Sequence, residues 1–157
     1  MMPAARKQAA VPSKADEQMR QLLTEIRLLE GSARILQSRL DVVSAALSET
    51  LTAIRTLEGS RVKEEGSEVL IPIGSGSFVK AKLSDPGKII IGVGAGVCLE
   101  KSVEDSVKDL RLRSSDLEKA RISVTNQLTQ IIGQTEDYRE TLGEIVRKRG
   151  GGSVEIV

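Results

Sequence analysis

Apolar residues recur with a seven-residue period over two long stretches of this chain of 157 residues. From Met19 to Leu57 they follow alternating steps of three and four, broken only by Thr50. A second series holds one of the two positions from Val103 to Ile145, while its other position mixes apolar and polar residues. This spacing places the apolar side chains on one face of an α-helix and is typical of a coiled-coil seam. Two long helices are therefore predicted, each packed on another helix.

Both helices begin at residues with the spacing of a capping box. Ser13 with Asp16, and Ser102 with Asp105, provide a hydroxyl and a carboxylate that satisfy free amides of the first turn. Helices of similar length joined by a compact linker most simply fold back on each other, so we predict an antiparallel coiled-coil hairpin. The predicted segments are a flexible arm, a helix, two β-hairpins, a second helix and a flexible tail, at residues 1–12, 13–65, 66–101, 102–149 and 150–157.

The middle of the chain is predicted to form four short strands, which makes the fold class α+β. Three Gly-containing turn sequences separate four runs rich in strand-forming residues. The runs are Val69–Ile73, Phe78–Leu83, Lys88–Val93 and Val97–Leu99. Two hairpins of this size cannot bury enough apolar surface to be stable alone, and the consecutive isoleucines at 89–91 are apolar on both faces of a strand. We therefore expect the hairpins to meet strands of other chains in an obligate oligomer.

The composition excludes several kinds of active site. The chain has no histidine, which removes Ser-His-Asp and Cys-His catalysis together with His-bound metals. Its single cysteine, Cys98, can form neither an intrachain disulfide nor a zinc site without His partners. The 23 basic and 22 acidic residues nearly cancel, and no basic stripe suggests nucleic-acid binding. Without a membrane-length apolar stretch or a secretory signal, we expect a cytoplasmic protein that uses no metal, cofactor, nucleic acid or membrane.

The segment from Ile91 to Val97 places three glycines after a strand, as a dinucleotide-binding loop does. Val97 stands where that fingerprint requires its third glycine. The helix that follows has a long heptad pattern, unlike the short helix of a βαβ unit. We interpret Gly94-Ala95-Gly96 as a hairpin turn and keep a nucleotide-using enzyme as an alternative that a nucleotide-binding measurement tests.

Four apolar residues lie off the seam, namely Leu23, Leu28, Ile132 and Val146. Antiparallel pairing places them mainly in the parts of the helices far from the hairpins. They either widen the packing stripe between the two helices or form an exposed apolar surface for a partner. The residues alone leave both interpretations open.

The middle of the chain also resembles a known family. The segments Glu68–Ala81, Ile89–Val97 and Glu100–Ser102, with their Val-Leu-Ile-Pro and Gly-Val-Gly-Ala-Gly stretches, resemble the α-class subunit of archaeal prefoldin. The order helix, two hairpins, helix agrees over nearly the whole chain. The resemblance implies an ATP-independent co-chaperone of two α-class and four β-class subunits, whose hairpins assemble a β-barrel body. It also implies that the coiled-coil tips hold unfolded client proteins and pass them to a group II chaperonin.

The resemblance implies roles for two sets of apolar residues. The residues expected to contact client proteins at the tips are Met19, Leu22, Leu23, Ile26, Leu142, Ile145 and Val146. The residues expected to assemble the barrel are Val69, Ile71, Phe78, Val79, Ile89, Ile91, Val93 and Val97. A coiled-coil scaffold that links fixed partners and has no client activity is the alternative function.

Overall fold

The computed structural model describes residues 13–60 and 63–150 and confirms the predicted order of elements. The elements are helix α1 (Lys14–Ser60), strands β1 (Glu68–Gly74), β2 (Ser77–Lys82), β3 (Lys88–Gly94) and β4 (Val97–Ser102), and helix α2 (Val103–Gly150). The predicted arm at 1–12 and all of the predicted tail except residue 150 lie outside the described residues.

Two helix ends differ from the predicted bounds. Helix α1 ends at Ser60, before the predicted bound of residue 65. Residues 63–65 are not helical, and the seam position among them is Glu64, which offers no apolar side chain whose burial would offset the entropy of ordering a further turn. Helix α2 includes Gly150, which had been assigned to the tail.

The first predicted capping box is complete, and the second is formed in part. The Ser13 hydroxyl accepts a hydrogen bond from the Asp16 amide at 3.3 Å, and the Asp16 carboxylate accepts one from the Ser13 amide at 3.2 Å. At the start of α2 the Ser102 hydroxyl accepts from the Asp105 amide at 3.1 Å. These bonds satisfy amides that have no partner within the first turn of a helix, and they fix where each helix begins.

The described chain divides into two compact units. We call residues 40–123 the hairpin unit, because it contains all four strands, and residues 13–39 with 124–150 the terminal unit. In the hairpin unit, α1 and α2 pair through a core made of Ile54, Val103, Val107 and Leu110. Ile89 and Ile91 of β3 pack against this core, so the second hairpin is anchored on its own helices.

The helices pair in opposite directions within each unit. In the hairpin unit, Arg111 near the start of α2 donates to Glu58 near the end of α1 at 2.7 Å. In the terminal unit, Arg139 donates to Glu30 at 2.7 Å, and Arg149 near the end of α2 donates to Asp16 in the first turn of α1. The predicted antiparallel pairing is confirmed within each unit.

Each hairpin is a separate two-stranded antiparallel sheet with the same irregularity beside its turn. The register shifts between Pro72 and Gly74 in the first hairpin and between Gly92 and Gly94 in the second. The three loop residues have φ values of 107°, 48° and 70° in the first hairpin, and 111°, 49° and 75° in the second. Glycine adopts such positive φ values without strain, which explains its place at both ends of each loop. The interpretation of Gly94-Ala95-Gly96 as a hairpin turn is confirmed.

Ser106 is a buried polar residue of α2, next in sequence to the core residue Val107. Its exposed fraction is 0%, and its hydroxyl has no hydrogen-bond partner among the described residues. The buried hydroxyls of Thr50 and Thr135, in contrast, donate at 2.8 Å to the carbonyls of Ala46 and Ile131. Those two polar residues are therefore tolerated, whereas Ser106 carries the cost of an unpaired buried group.

We expect Ser106→Ala to stabilise the protein. An unpaired buried hydroxyl costs about 1–3 kcal/mol, and alanine is also the better helix former. The free energy of unfolding should rise by about 1 kcal/mol, measured by denaturant unfolding followed by circular dichroism. Ser115→Ala, at an exposed position of the same helix, controls for helix propensity. If Ser106→Ala raises the free energy of unfolding no more than Ser115→Ala does, the unpaired hydroxyl of Ser106 does not destabilise the protein.

Candidate assembly and client-binding surfaces

The strands expose large apolar side chains on both hairpins. The exposed ones are Leu70, Ile71, Ile73, Phe78, Val79, Ile90, Val93, Val97 and Leu99. Within the described residues each sheet holds two strands, so every strand also has one edge with unpaired backbone groups. An apolar surface of this kind with open edges is a template for pairing with another chain.

The predicted assembly residues divide into two groups in the structure. Ile71, Phe78, Val79, Val93 and Val97 are exposed and available to another chain. Val69, Ile89 and Ile91 are half-buried, and the two isoleucines contact the core of their own chain. For Ile89 and Ile91 a role in assembly stays a prediction, and part of their surface is already used in holding β3 on the helices.

Ile90 is an exposed strand residue that the predicted assembly set does not include. It lies between Ile89 and Ile91, its side chain is 73% exposed, and alternation along a strand directs it away from the core that its neighbours contact. Leu70, Ile73 and Leu99 are further exposed strand residues outside that set. Successive side chains of a strand point to opposite faces. If one face is assigned to the chain's own helices, this alternation identifies the residues exposed on the other face.

A groove of about 680 Å³ lies next to this surface, entirely within the hairpin unit. Its lining includes Ala53 and Leu57 of α1, Ile89 and Ile91 of β3, and Leu110 of α2. Glu49 and Arg113 lie at its rim.

The predicted client-binding residues lie in the terminal unit with different exposures. Leu23 and Val146 are 43% and 53% exposed, whereas Met19, Leu22, Leu142 and Ile145 are half-buried. Ile26 is only 7% exposed, so it belongs to the seam between the helices and offers little surface to a client. Its role in client contact stays a prediction that this burial does not favour. It had been included because the heptad pattern gives position along the seam and not the extent of burial.

Leu22 and Ile145 line a second groove, of about 690 Å³, in the terminal unit. Tyr138, the only tyrosine of the chain, contributes to the same groove. Its remaining lining is polar or charged, from Gln18, Gln21, Glu25, Thr141, Glu144 and Lys148. Three of its lining residues are apolar or aromatic, and the remaining six are polar or charged.

Asp16 joins the two helix ends of the terminal unit. Its carboxylate accepts hydrogen bonds from the hydroxyl and amide of Ser13 and from the guanidinium of Arg149. These bonds, with those of Ser13 the largest cause, hold the pKa of the Asp16 carboxyl below its ordinary value of 3.8. Because the charged form is the one that is bonded, Asp16 stabilises the helix ends as an anion.

We expect the helix ends of the terminal unit to loosen in acid. Folding lowers the pKa of the Asp16 carboxyl. The contribution of Asp16 to stability is therefore complete above the ordinary pKa of 3.8, and it is lost as the pH falls through the pKa of the folded state. Amide protection factors of residues 14–20 should therefore drop on acidification below that value, measured by NMR hydrogen exchange. In Asp16→Asn the protection should be lower at neutral pH and should no longer change over this range. An unchanged pH dependence in that variant would show that another group is responsible.

Metal-ligating residue types do not cluster in the described part of the chain. No group of His, Cys, Asp and Glu residues in this part of the chain could hold a metal ion. Cys98 is exposed on β4. No helix within 13–60 or 63–150 is long and apolar enough to span a membrane. Exposed apolar side chains lie on the strands and in the terminal unit.

Comparison with known proteins identifies the family that shares this arrangement. A family model for the prefoldin subunit matches residues 29–148. The prefoldin α subunit of Pyrococcus horikoshii is 29% identical over 134 residues, which cover 85% of this chain and 86% of the relative. That of Methanococcus aeolicus is 31% identical over 136 residues, covering 87% and 92%.

A solved structure shares the fold as well. The cryo-EM structure of filamentous PFD from Methanocaldococcus jannaschii aligns with a TM-score of 0.51 and 25% identity, over 77% of this chain and 94% of that one. The family match runs from within α1 through both hairpins and nearly to the end of α2. The chain therefore belongs to the prefoldin family, and its relatives there are α-class subunits.

Proposed function

We propose that this chain is the α-class subunit of a hetero-oligomeric prefoldin that captures unfolded proteins in the cytoplasm and delivers them to a group II chaperonin without using ATP. Members of the prefoldin family are non-enzymatic chaperone components that work as oligomers. The partners proposed for this chain are β-class subunits, two α-class and four β-class chains forming the particle.

The observation that carries the proposal is the separation of two apolar surfaces. The hairpin unit exposes apolar strands, while the terminal unit exposes Leu23 and Val146 near a groove with an apolar floor. Strands can be covered permanently by other subunits, because strand edges pair in a fixed register. The small apolar surface of the terminal unit instead suits brief contacts with chains that have no fixed shape.

Weak contacts suffice for capture when several arms act together. Burial of one exposed leucine or valine stabilises a contact by about 1–2 kcal/mol, which alone gives no useful affinity. Several linked arms raise the overall avidity by factors of about 10²–10⁴ over that of a single arm. Release to a chaperonin then requires breaking weak contacts one after another, and no nucleotide is consumed by this chain.

The experiment that tests the proposal follows the aggregation of a chemically denatured protein after dilution, without ATP. The chain co-assembled with a β-class prefoldin subunit should suppress light scattering, and added group II chaperonin with ATP should then recover native client. A complex that assembles but leaves aggregation unchanged would support the scaffold alternative and refute the chaperone function. Suppression without any recovery by chaperonin would refute the delivery step alone.

A further inference from the structure

The groove lined by Leu22 and Ile145, here called the terminal groove, lies on the side of the helix pair away from the proposed client surface. Leu23 and Val146 directly follow these two seam residues, so each is turned about 100° in one direction around its helix. The polar residues of the groove stand one or four positions before a seam residue or three positions after it, which turns them to the other side. An occupant of the terminal groove would therefore leave Leu23 and Val146 accessible to a client.

The terminal groove combines an aromatic ring with an excess of carboxylate. Tyr138 contributes a ring that is 36% exposed. The carboxylate of Glu144 lies 4.0 Å from the ammonium of Lys148, whereas Glu25 has no ion-pair partner among the residues that the structure describes. An aromatic face and a carboxylate without a partner both attract a cation. The groove therefore suits a segment that carries positive charge.

Two segments of this chain connect to the helix ends beside the terminal groove, and their charges distinguish them. Residues 1–12 precede α1 and residues 151–157 follow α2, and both lie outside the described residues. The first segment, the arm, carries Arg6 and Lys7 and no acidic residue. The second carries Glu155 and no basic residue. Charge complementarity to the groove therefore favours the arm.

The arm is also long enough to bring its cations to the terminal groove. Glu25 lies twelve residues after Ser13, which corresponds to about 18 Å along the helix. Lys7 precedes Ser13 by six residues, and six extended residues span about 20 Å, to which the lysine side chain adds further reach. Arg6 stands one residue farther, toward the part of the groove that Tyr138 lines.

We propose that the arm folds back along α1 and occupies the terminal groove, with Lys7 beside Glu25 and Arg6 beside Tyr138. A surface ion pair and an exposed cation–π contact are together worth about a tenfold change in an equilibrium. A segment attached by a short linker has an effective concentration in the millimolar range, so contacts of this strength suffice for docking. Client capture is not needed for this contact, so its failure and that of the proposed function are separate results.

Tyr138 reports on the groove without interference, because it is the only tyrosine of the chain. The chain is labelled with 3-fluorotyrosine, assembled with an unlabelled β-class partner and measured by fluorine NMR. Arg6→Ser with Lys7→Ser should lower the ratio of docked to undocked arms about tenfold and move the ring resonance. Salt at about 1 M should move the wild-type resonance in the same direction, because it screens exposed charges.

The control for this measurement is Val154→Ser with Ile156→Ser, which changes the segment that follows α2. It should leave the resonance of Tyr138 in place. An unmoved resonance in the arm variant, or an equal shift in the control, would overturn the proposal.

Charge reversal tests the pairing of Lys7 with Glu25. Lys7→Glu should move the resonance of Tyr138 toward its position in the variant without arm cations, and adding Glu25→Lys should return it. A shift in the single variant that the double variant does not reverse would overturn the proposed pairing.

A zero-length cross-link tests the contact directly. A carbodiimide joins an amine to a carboxylate that touches it, so Lys7 should be linked to Glu25 in the assembled particle, as identified by mass spectrometry of its peptides. Glu25→Gln should remove this link. Glu17→Gln is the matched control, since Glu17 is exposed on the same helix but does not line the groove, and it should leave the link intact. Equal linking of Lys7 to Glu17 and Glu25, or no link to Glu25, would show that the arm does not lie in the groove.

Discussion

An Ile90→Lys chain is expected to fold but to fail to assemble with its partner subunits. Ile90 is 73% exposed on β3, so a lysine there costs the separate chain little. In the assembled particle the change removes about 1.5–3 kcal/mol of apolar burial and adds the cost of a buried unpaired charge, several kcal/mol more. Because about 1.4 kcal/mol corresponds to a factor of ten, the association constant should fall at least about a thousandfold. Size-exclusion chromatography with light scattering measures the loss.

Two further variants make this result interpretable. Leu112→Lys changes an apolar residue of α2 that is also well exposed but lies off the strands, and it should assemble normally. Ile89→Lys should lower the thermal midpoint of the chain itself, because Ile89 packs on the core that contains Ile54. Normal assembly of Ile90→Lys would exclude the exposed face of β3 from the interface between subunits.

The double variant Leu23→Ser with Val146→Ser is expected to lose most of its capacity to suppress aggregation. Both side chains are about half exposed in the terminal unit, and each contributes about 1 kcal/mol to a contact with an apolar client segment. The loss acts at every α-class arm that holds the same client, so the effects combine. The amount of complex needed for half-maximal suppression should rise by about fivefold or more, measured by light scattering without ATP.

The matched control is Leu112→Ser with Ile122→Ser, which removes two exposed apolar side chains from the part of α2 in the hairpin unit. It should leave suppression unchanged. Leu22 is kept in both variants, because it is half-buried and its loss would weaken helix pairing. Unchanged suppression by an intact particle carrying Leu23→Ser and Val146→Ser, or an equal loss in the control, would refute the proposed client surface.

The order of elements could be predicted because each element has its own local signal. The heptad spacing specifies both helices, and the boxes Ser13–Asp16 and Ser102–Asp105 fix where they begin. Each hairpin turn is specified by glycines, which adopt the positive φ values that the loop requires. These patterns extend over only three to seven residues, so they can be recognised without knowing which residues pack against them.

Degrees of burial could not be predicted in the same way, because they depend on what lies opposite each residue. Ile26 and Leu22 occupy neighbouring seam positions, yet one is buried and the other lines an open groove. The isoleucines at 89–91 look alike in sequence, and only the contact with the helix core separates Ile90 from its neighbours. The unpaired hydroxyl of Ser106 could not be foreseen either, since a serine in a helix usually has a polar partner or solvent within reach.

If the strands of this chain are completed by other subunits, the mass of the co-purified particle will show it. The chain, of 16.9 kDa, should be co-expressed with a β-class prefoldin subunit and the product measured by native mass spectrometry. We predict one particle with two copies of this chain and four of the partner. A folded monomer at micromolar concentration that does not bind the partner would contradict the account.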